Sequence, residues 1–183
     1  MIPVQRAYLR KERGDRRVQR ASGVGRESSV GCRARAESGE GVLGVARLKS
    51  EHSVVYISFG SLHVFTKRQL EELSSGLEKS GRPYLWVVRR DNREATGVEI
   101  ETGGPQGMVV AWCSQVKVLS HPAVGCFVTH CGWNSTLESL ACGVPTVGVP
   151  RHSDQATNVR MAEVAWGKGV TVELSGEGMV EAS

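Results

Sequence analysis

The sequence predicts an α/β domain over residues 51–183, a Rossmann-like parallel sheet with helices on both faces, preceded by a basic tail over residues 1–50. Three observations carry this expectation. Segments rich in β-branched and aromatic residues alternate with segments of helical periodicity at short spacing, which is the pattern of βα units. The strand segments are continuously apolar, as strands buried on both faces are, rather than alternating apolar with polar. The texture of the chain also changes at Ser53, from an Arg-, Gly- and Ser-rich stretch to SVVYISFG.

The charge follows the same division. Residues 1–50 hold 12 of the 23 Lys+Arg against 5 acids, a net of +7, and the rest hold 11 basic and 14 acidic groups, a net of −3; the two sum to +4. The basic character thus belongs to the tail. With one aromatic, Tyr8, and no sustained apolar period, the tail is expected to be disordered. Its arginines suit nucleic-acid phosphates, but neither interleaved aromatics nor a folded reader accompanies them, so a solvated or non-native extension is the favoured reading. The 5 cysteines, Cys32, Cys113, Cys126, Cys131 and Cys142, are odd in number and form no CxxC pair, which points to a reducing, cytoplasmic setting. Met1 to Leu9 lacks the apolar core of a secretory signal, and no apolar run reaches the length of a membrane span.

Each element has a local reason. SVVYISFG reads as a buried strand closed by Gly60 and Ser61. Thr66 is an N-cap with Gln69 in capping-box spacing; Leu70, Leu73 and Leu77 then line one helix face, and Gly81 ends the helix. Tyr84 to Val88 is the next strand, and residues 89–107, charged and then glycine-rich, read as a surface loop. Met108 to Val110 is a short strand, and Ser114 caps a short helix through Leu119. Val124 to Thr129 is a strand, Ser135 to Ala141 a helix stopped by Gly143, and Thr146 to Val149 a strand. Asp154 then caps a helix with Ala156, Val159, Ala162 and Ala165 turned inward, before a last strand at Gly169 to Val172. No GxGxxG accompanies the first βα turn. Ligands are expected at the carboxyl ends of the strands.

The densest chemistry lies around HCGWNS, His130 to Ser135, where a strand ends in histidine and a small-residue turn opens into a helix. Unpaired N–H groups at such a helix start carry partial positive charge and suit a phosphate. Ser135 and Glu138 stand in capping-box spacing, so Glu138 reads either as a cap or as an acceptor for ribose hydroxyls. Trp112, at another strand end beside Gln115, reads either as packing or as a platform for a planar base. Asp154 and Gln155 read either as a helix start or as partners for sugar hydroxyls. A metal site built from His121, Cys126, His130 and Cys131 is disfavoured. Strand residues four apart are separated by about 13 Å, and Cys131 is expected on the opposite face from His130.

The stretch from Trp112 to Gln155 is 44 residues long (155 − 112 + 1). It carries Trp112, Gln115, His121-Pro122, His130-Cys131-Gly132-Trp133-Asn134-Ser135, Glu138, Gly143, Pro145, Pro150 and Asp154-Gln155. In this it resembles the signature box of plant UDP-glycosyltransferases, the flavonoid and anthocyanin glucosyltransferases among them. The likeness runs back through SVVYISFGS and RPYLWVVR and forward to about Ala182, and residues 1 to about 50 share none of it.

The resemblance implies the C-terminal, donor-binding half of a GT-B-type enzyme. By that likeness Trp112 would stack on uracil, and Gln115 and Glu138 would hold the ribose. His130, Asn134, Ser135 and Ser61 would hold the diphosphate, while Trp133, Asp154 and Gln155 would contact the sugar. Gln155 at the end of the box implies UDP-glucose as donor. The implied reaction is inverting transfer of glucose, without a metal or other cofactor, to a hydroxyl of a small phenolic acceptor by a monomeric enzyme. In the family the catalytic histidine and its orienting aspartate lie in an N-terminal domain that the Arg-rich tail does not provide, so this chain alone is expected to be inactive. The family also continues into closing helices beyond Val172, and an aromatic usually stands at the position of His152. Two other readings are a non-catalytic UDP-sugar-binding fragment and, least favoured, an Arg-tailed nucleic-acid binder.

Overall fold

The computed structural model describes residues 50–61, 64–97, 106–152 and 154–172. The expected disorder of the tail, and the chain beyond Val172, lie outside the described residues.

Six strands, β1 (Val54–Ser58), β2 (Tyr84–Val87), β3 (Gly107–Val110), β4 (Val124–Thr129), β5 (Thr146–Gly148) and β6 (Gly169–Thr171), form one parallel sheet in the order β3-β2-β1-β4-β5-β6. The central strands β1 and β4 are buried along their whole length, which is why they read as uninterrupted apolar runs. Alternate residues feed two cores. Val55, Ile57, Trp86 and Val128 pack with Phe59, Phe65 and Leu70 on one side. Tyr56, Leu85, Val124 and Phe127 pack with Val118 and Leu119 on the other. Tyr56 and Phe127 stack across the β1–β4 pair, ring centroids 4.9 Å apart. Full burial of one such aromatic or of Leu70 contributes about 1.5–3 kcal/mol.

Helix α1 (Lys67–Ser80) follows its sequence signals closely. The Gln69 N–H donates to Thr66 Oγ1 at 3.3 Å, and the Thr66 N–H donates to Gln69 Oε1 at 3.0 Å. Gly81 closes the helix at φ 62°. Leu70 is fully buried, with Leu73 and Leu77 packed against the same core.

Five expectations are corrected. Residues 89–107 are not loop throughout, because α2 (Arg90–Thr96) occupies their first part. It has no apolar stripe; buried Asn92 anchors it, its Oδ1 accepting the Phe65 N–H at 3.1 Å. Ser114 stands at the N-cap of α3 (Gln115–Leu119) but makes no side-chain cap bond. Helix α4 (Trp133–Ala141) starts two residues before Ser135, with Gly132 at its N-cap, so Ser135 and Glu138 do not form a capping box. In α5 (Gln155–Arg160), Asp154 stands at the N-cap without a side-chain cap bond. Ala156, in the first turn of α5, is exposed while Val159 is buried; the chain then widens into a π-helical turn at Met161–Ala165, which shifts the phase, with Ala162 buried and Ala165 exposed.

The strand order places a topological switch between β1 and β4. Connections leave β1 towards β2 and β3 on one side, and β4 leads to β5 and β6 on the other. A crevice outside the carboxyl ends of those two strands is the expected ligand site of such a sheet.

Candidate functional site

A cleft of ≈ 740 Å³ opens at that switch. Its walls come from the carboxyl ends of β1 (Ser58, Gly60, Ser61), β2 (Val87, Arg89) and β4 (His130), from Trp112 to Val116, and from the start of α4, Gly132 to Ser135, with Glu138. Eight of the ten residues singled out from sequence line it: Ser61, Trp112, Gln115, His130, Trp133, Asn134, Ser135 and Glu138. Asp154 and Gln155 are not among its lining residues.

The turn after β4 is built around a conformation unusual for its residue. Cys131 has φ 61°, a left-handed value rarely taken by residues other than glycine, and it is fully buried. This places its side chain beneath the turn, where Sγ would lie 2.8 Å from a Cβ added at Gly148, and where burial pushes the thiol pKa up to about 12. Next in the chain, Gly132 caps α4 by position with no side-chain cap bond, and the first helical bond is the Thr136 N–H to the Gly132 carbonyl at 3.0 Å. The N–H groups of residues 133–135 precede that bond at the cleft wall. Together they form an electropositive helix end that suits an anion.

His130 sits beside this helix end in a slot made by two glycines. A Cβ at Gly60 would lie 2.6 Å from its Cε1, and a Cβ at Gly132 would lie 2.5 Å from its Nε2. Burial lowers the pKa of His130 below 6.5, with the Asp154 carboxylate pulling the other way. A neutral imidazole is therefore presented at neutral pH, with Thr129 Oγ1 3.4 Å from Nδ1.

Further along the cleft, Gln115 Nε2 donates to Glu138 Oε2 at 2.7 Å and to Ser135 Oγ at 3.0 Å. The spacing that looked like a cap thus serves a bond between α3 and α4. Trp112 is 65% exposed and Trp133 47%, so neither is core packing. Outside the cleft's lining, Gln155 Oε1 accepts the N–H groups of Arg151 (2.8 Å) and His152 (3.0 Å), and Asp154 Oδ2 accepts Asn158 Nδ2 at 2.7 Å. Among the described residues no group of three His, Cys, Asp or Glu stands close enough to hold a metal ion.

Sequence reasoning overlooked Tyr56, Ser58, Arg89 and Asn158. Ser58 and Arg89 stand at carboxyl strand ends, a position that was itself a signal. Arg89 is held by Asp91, Nε to Oδ1 at 3.0 Å. Tyr56 looked like core; its hydroxyl lies 3.5 Å from Cys113 Sγ beneath the cleft, and burial raises the pKa of both. Asn158 had only its spacing of four from Asp154 to mark it.

The profile of the family described as UDP-glucoronosyl and UDP-glucosyl transferase matches residues 28–182. The chain belongs to that family. The match begins upstream of Ser53, so the family likeness reaches further towards the N-terminus than the motifs alone suggest. Among curated UDP-glycosyltransferases, the chain is 54% identical over 135 residues to "Crocetin glucosyltransferase, chloroplastic" of Gardenia jasminoides, covering 70% of this chain and 28% of that protein. It is 51% identical over 141 residues to "Anthocyanidin 3-O-glucoside 5-O-glucosyltransferase 1" of Perilla frutescens, covering 74% and 31%. Among solved UDP-glycosyltransferase structures, Os79 from O. sativa in complex with UDP superposes with a TM-score of 0.72 at 40% identity, covering 76% of this chain and 31% of that one. The six-stranded parallel sheet is thus that of a GT-B-type glycosyltransferase. The chain spans 28–31% of the length of these curated relatives. Among the described residues no helix is long and apolar enough to cross a membrane.

Proposed function

We propose that this chain is the donor-binding half of a UDP-glucose-dependent glycosyltransferase that transfers glucose to a hydroxyl of a small plant metabolite of the flavonoid or phenolic type. The observation that supports it most is the chemistry gathered in one cleft: an exposed indole, a paired amide and carboxylate, and an uncapped helix end beside a neutral imidazole. The base, ribose and diphosphate of a nucleoside diphosphate sugar need those groups in turn. Trp112 stacks on uracil; Gln115 and Glu138 exchange their mutual bond for the ribose hydroxyls; His130, Asn134, Ser135 and Ser61 hold the diphosphate. Trp133, Asp154 and Gln155 take the sugar, Asp154 through the carboxylate oxygen that Asn158 does not hold, while the Gln155 side chain turns from its present partners.

Donors fixed around the diphosphate stabilise the negative charge that develops on UDP as it leaves, so no metal is needed for that step. An acceptor hydroxyl, once deprotonated, attacks the anomeric carbon from the opposite side and UDP departs with inversion. We assign no catalytic base among the described residues; the base and the acceptor pocket belong to a complementary domain, and a monomer of both domains is the working unit. A reducing, cytoplasmic setting accords with the free thiols of Cys113, Cys126, Cys131 and Cys142.

Calorimetric titration with UDP and UDP-glucose, with and without EDTA, tests the reading. Both nucleotides should bind equally well in EDTA, and Trp112→Ala should weaken both by about 5- to 150-fold, since stacking contributes about 1–3 kcal/mol per base. Absence of heat with either nucleotide refutes it. A product assay on the isolated chain should show no transfer; turnover would place a base among these residues.

A further inference from the structure

Asn158 is 4% exposed on α5, and both hydrogens of its amide are used. Nδ2 donates to the Cys131 carbonyl at 3.0 Å and to Asp154 Oδ2 at 2.7 Å. Both partners only accept, which settles that the NH2 rather than the oxygen faces them. One side chain therefore joins the left-handed residue of the turn after β4 to the carboxylate at the start of α5. The rest of the turn is held less firmly: the Cys131 N–H reaches Thr129 Oγ1 at 3.4 Å, and its thiol reaches the Thr129 carbonyl at 3.7 Å. A positive φ at a residue other than glycine persists only where its surroundings hold it, and the bond from Asn158 is the shortest polar one that does so. Gly148 leaves room for the arrangement, because a Cβ there would lie 2.2 Å from Val159 Cγ2 and 2.8 Å from Cys131 Sγ.

We propose that Asn158 is a positioning residue, a buried clamp that sets the Cys131 turn and the Asp154 carboxylate in fixed relation. The part concerning ligand rests on the donor-site reading above. The clamp couples the two poles of the site: the turn aims the 133–135 N–H groups and seats His130, while Asp154 stands where the sugar would lie. Removing the amide leaves a buried carbonyl without its donor and frees the carboxylate to rotate, so both poles loosen together.

Hydrogen exchange read by mass spectrometry on the full chain, with calorimetry on the same samples, tests this. In Asn158→Ala, amides of residues 131–136 should exchange at least about tenfold faster, while β1 keeps wild-type protection. UDP and UDP-glucose should bind about tenfold more weakly, as expected for loss of one hydrogen bond to a carboxylate and one to a carbonyl. Asp154→Ala combined with Asn158→Ala should lose UDP-glucose affinity by no more than about twofold beyond the worse single variant, as expected for residues acting as one unit. Asn158→Leu keeps a similar side-chain volume but loses both donors without adding a charge beside Asp154, and should behave as Asn158→Ala does, so the comparison survives if the alanine variant does not fold. Wild-type exchange at 131–136, faster exchange spread equally over β1, or losses that multiply in the double variant would each overturn the clamp. If the wild type binds neither nucleotide, the donor-site reading fails, and the exchange measurement still judges the hold on the turn.

Discussion

Replacing Gly60 by alanine measures how tightly the His130 imidazole is seated. Gly60 has φ 73°, and an added Cβ would lie 2.6 Å from Cε1 and 2.8 Å from Nε2 of that ring. The ring also lies against Gly132, so glycine on both sides creates the space it fills. Two costs combine. A left-handed backbone costs a residue with a Cβ about 1–2 kcal/mol, and forcing a methyl into a packed contact costs about 1–3 kcal/mol more. The expected total is about 2–5 kcal/mol, a large share of the ~5–15 kcal/mol that holds a domain together. Gly81→Ala supplies the reference, since Gly81 has φ 62° but nothing within 4 Å of the added carbon. Urea unfolding of the two variants should therefore differ by about 1–3 kcal/mol, the steric part alone. Calorimetry should show UDP binding weakened by Gly60→Ala and unchanged by Gly81→Ala. Equal destabilisation of the two variants, with UDP affinity preserved in Gly60→Ala, would mean that the imidazole moves aside freely and that the glycine pair does not fix it.

Other outcomes follow from burial. The folded-state pKa of His130 is depressed below 6.5, so the unfolded chain binds more protons at that residue than the native one; its contribution to stability is complete above about pH 6.5 and is lost as pH falls towards and through the folded value. Urea midpoints measured from pH 7.5 to 5 should decline, and His130→Gln should flatten the part of that decline that belongs to this residue; an unchanged slope in the variant would contradict the assignment. Cys113 and Cys131 are buried with raised pKa values, whereas Cys142 is only half-buried. A thiol reagent at pH 8 should thus label Cys142 well before either, and early labelling of Cys131 in native protein would show that the turn after β4 opens readily.

Much of the fold was legible because its signals are local. The box formed by Thr66 and Gln69, the Gly81 stop and the apolar runs of β1, β2 and β4 each depend on residues a few positions apart, and the structure realises them as expected. Helix α2 was missed for the opposite reason: its anchor is Asn92 bonded to the backbone of Phe65, 27 residues away, with no apolar stripe to reveal it. The same distinction explains Glu138. Its spacing from Ser135 fits a local cap, yet its partner is Gln115, 23 residues earlier, because α4 begins ahead of Ser135 and carries Glu138 round to face α3.

By itself, then, the sequence determined the alternation of strands and helices, the small-residue turn into α4 and the inventory of aromatic, amide, hydroxyl and carboxylate groups near the strand ends. Those follow from propensity and periodicity, which act within a few residues. Only the tertiary structure decided that β1 and β4 lie side by side, with Gly60 and Gly132 closing on His130 from different parts of the chain. It also decided that Asn158 reaches back 27 residues to the Cys131 carbonyl. Such contacts arise from burial: once the sheet excludes water, each buried donor and acceptor must find a partner wherever the packing brings one.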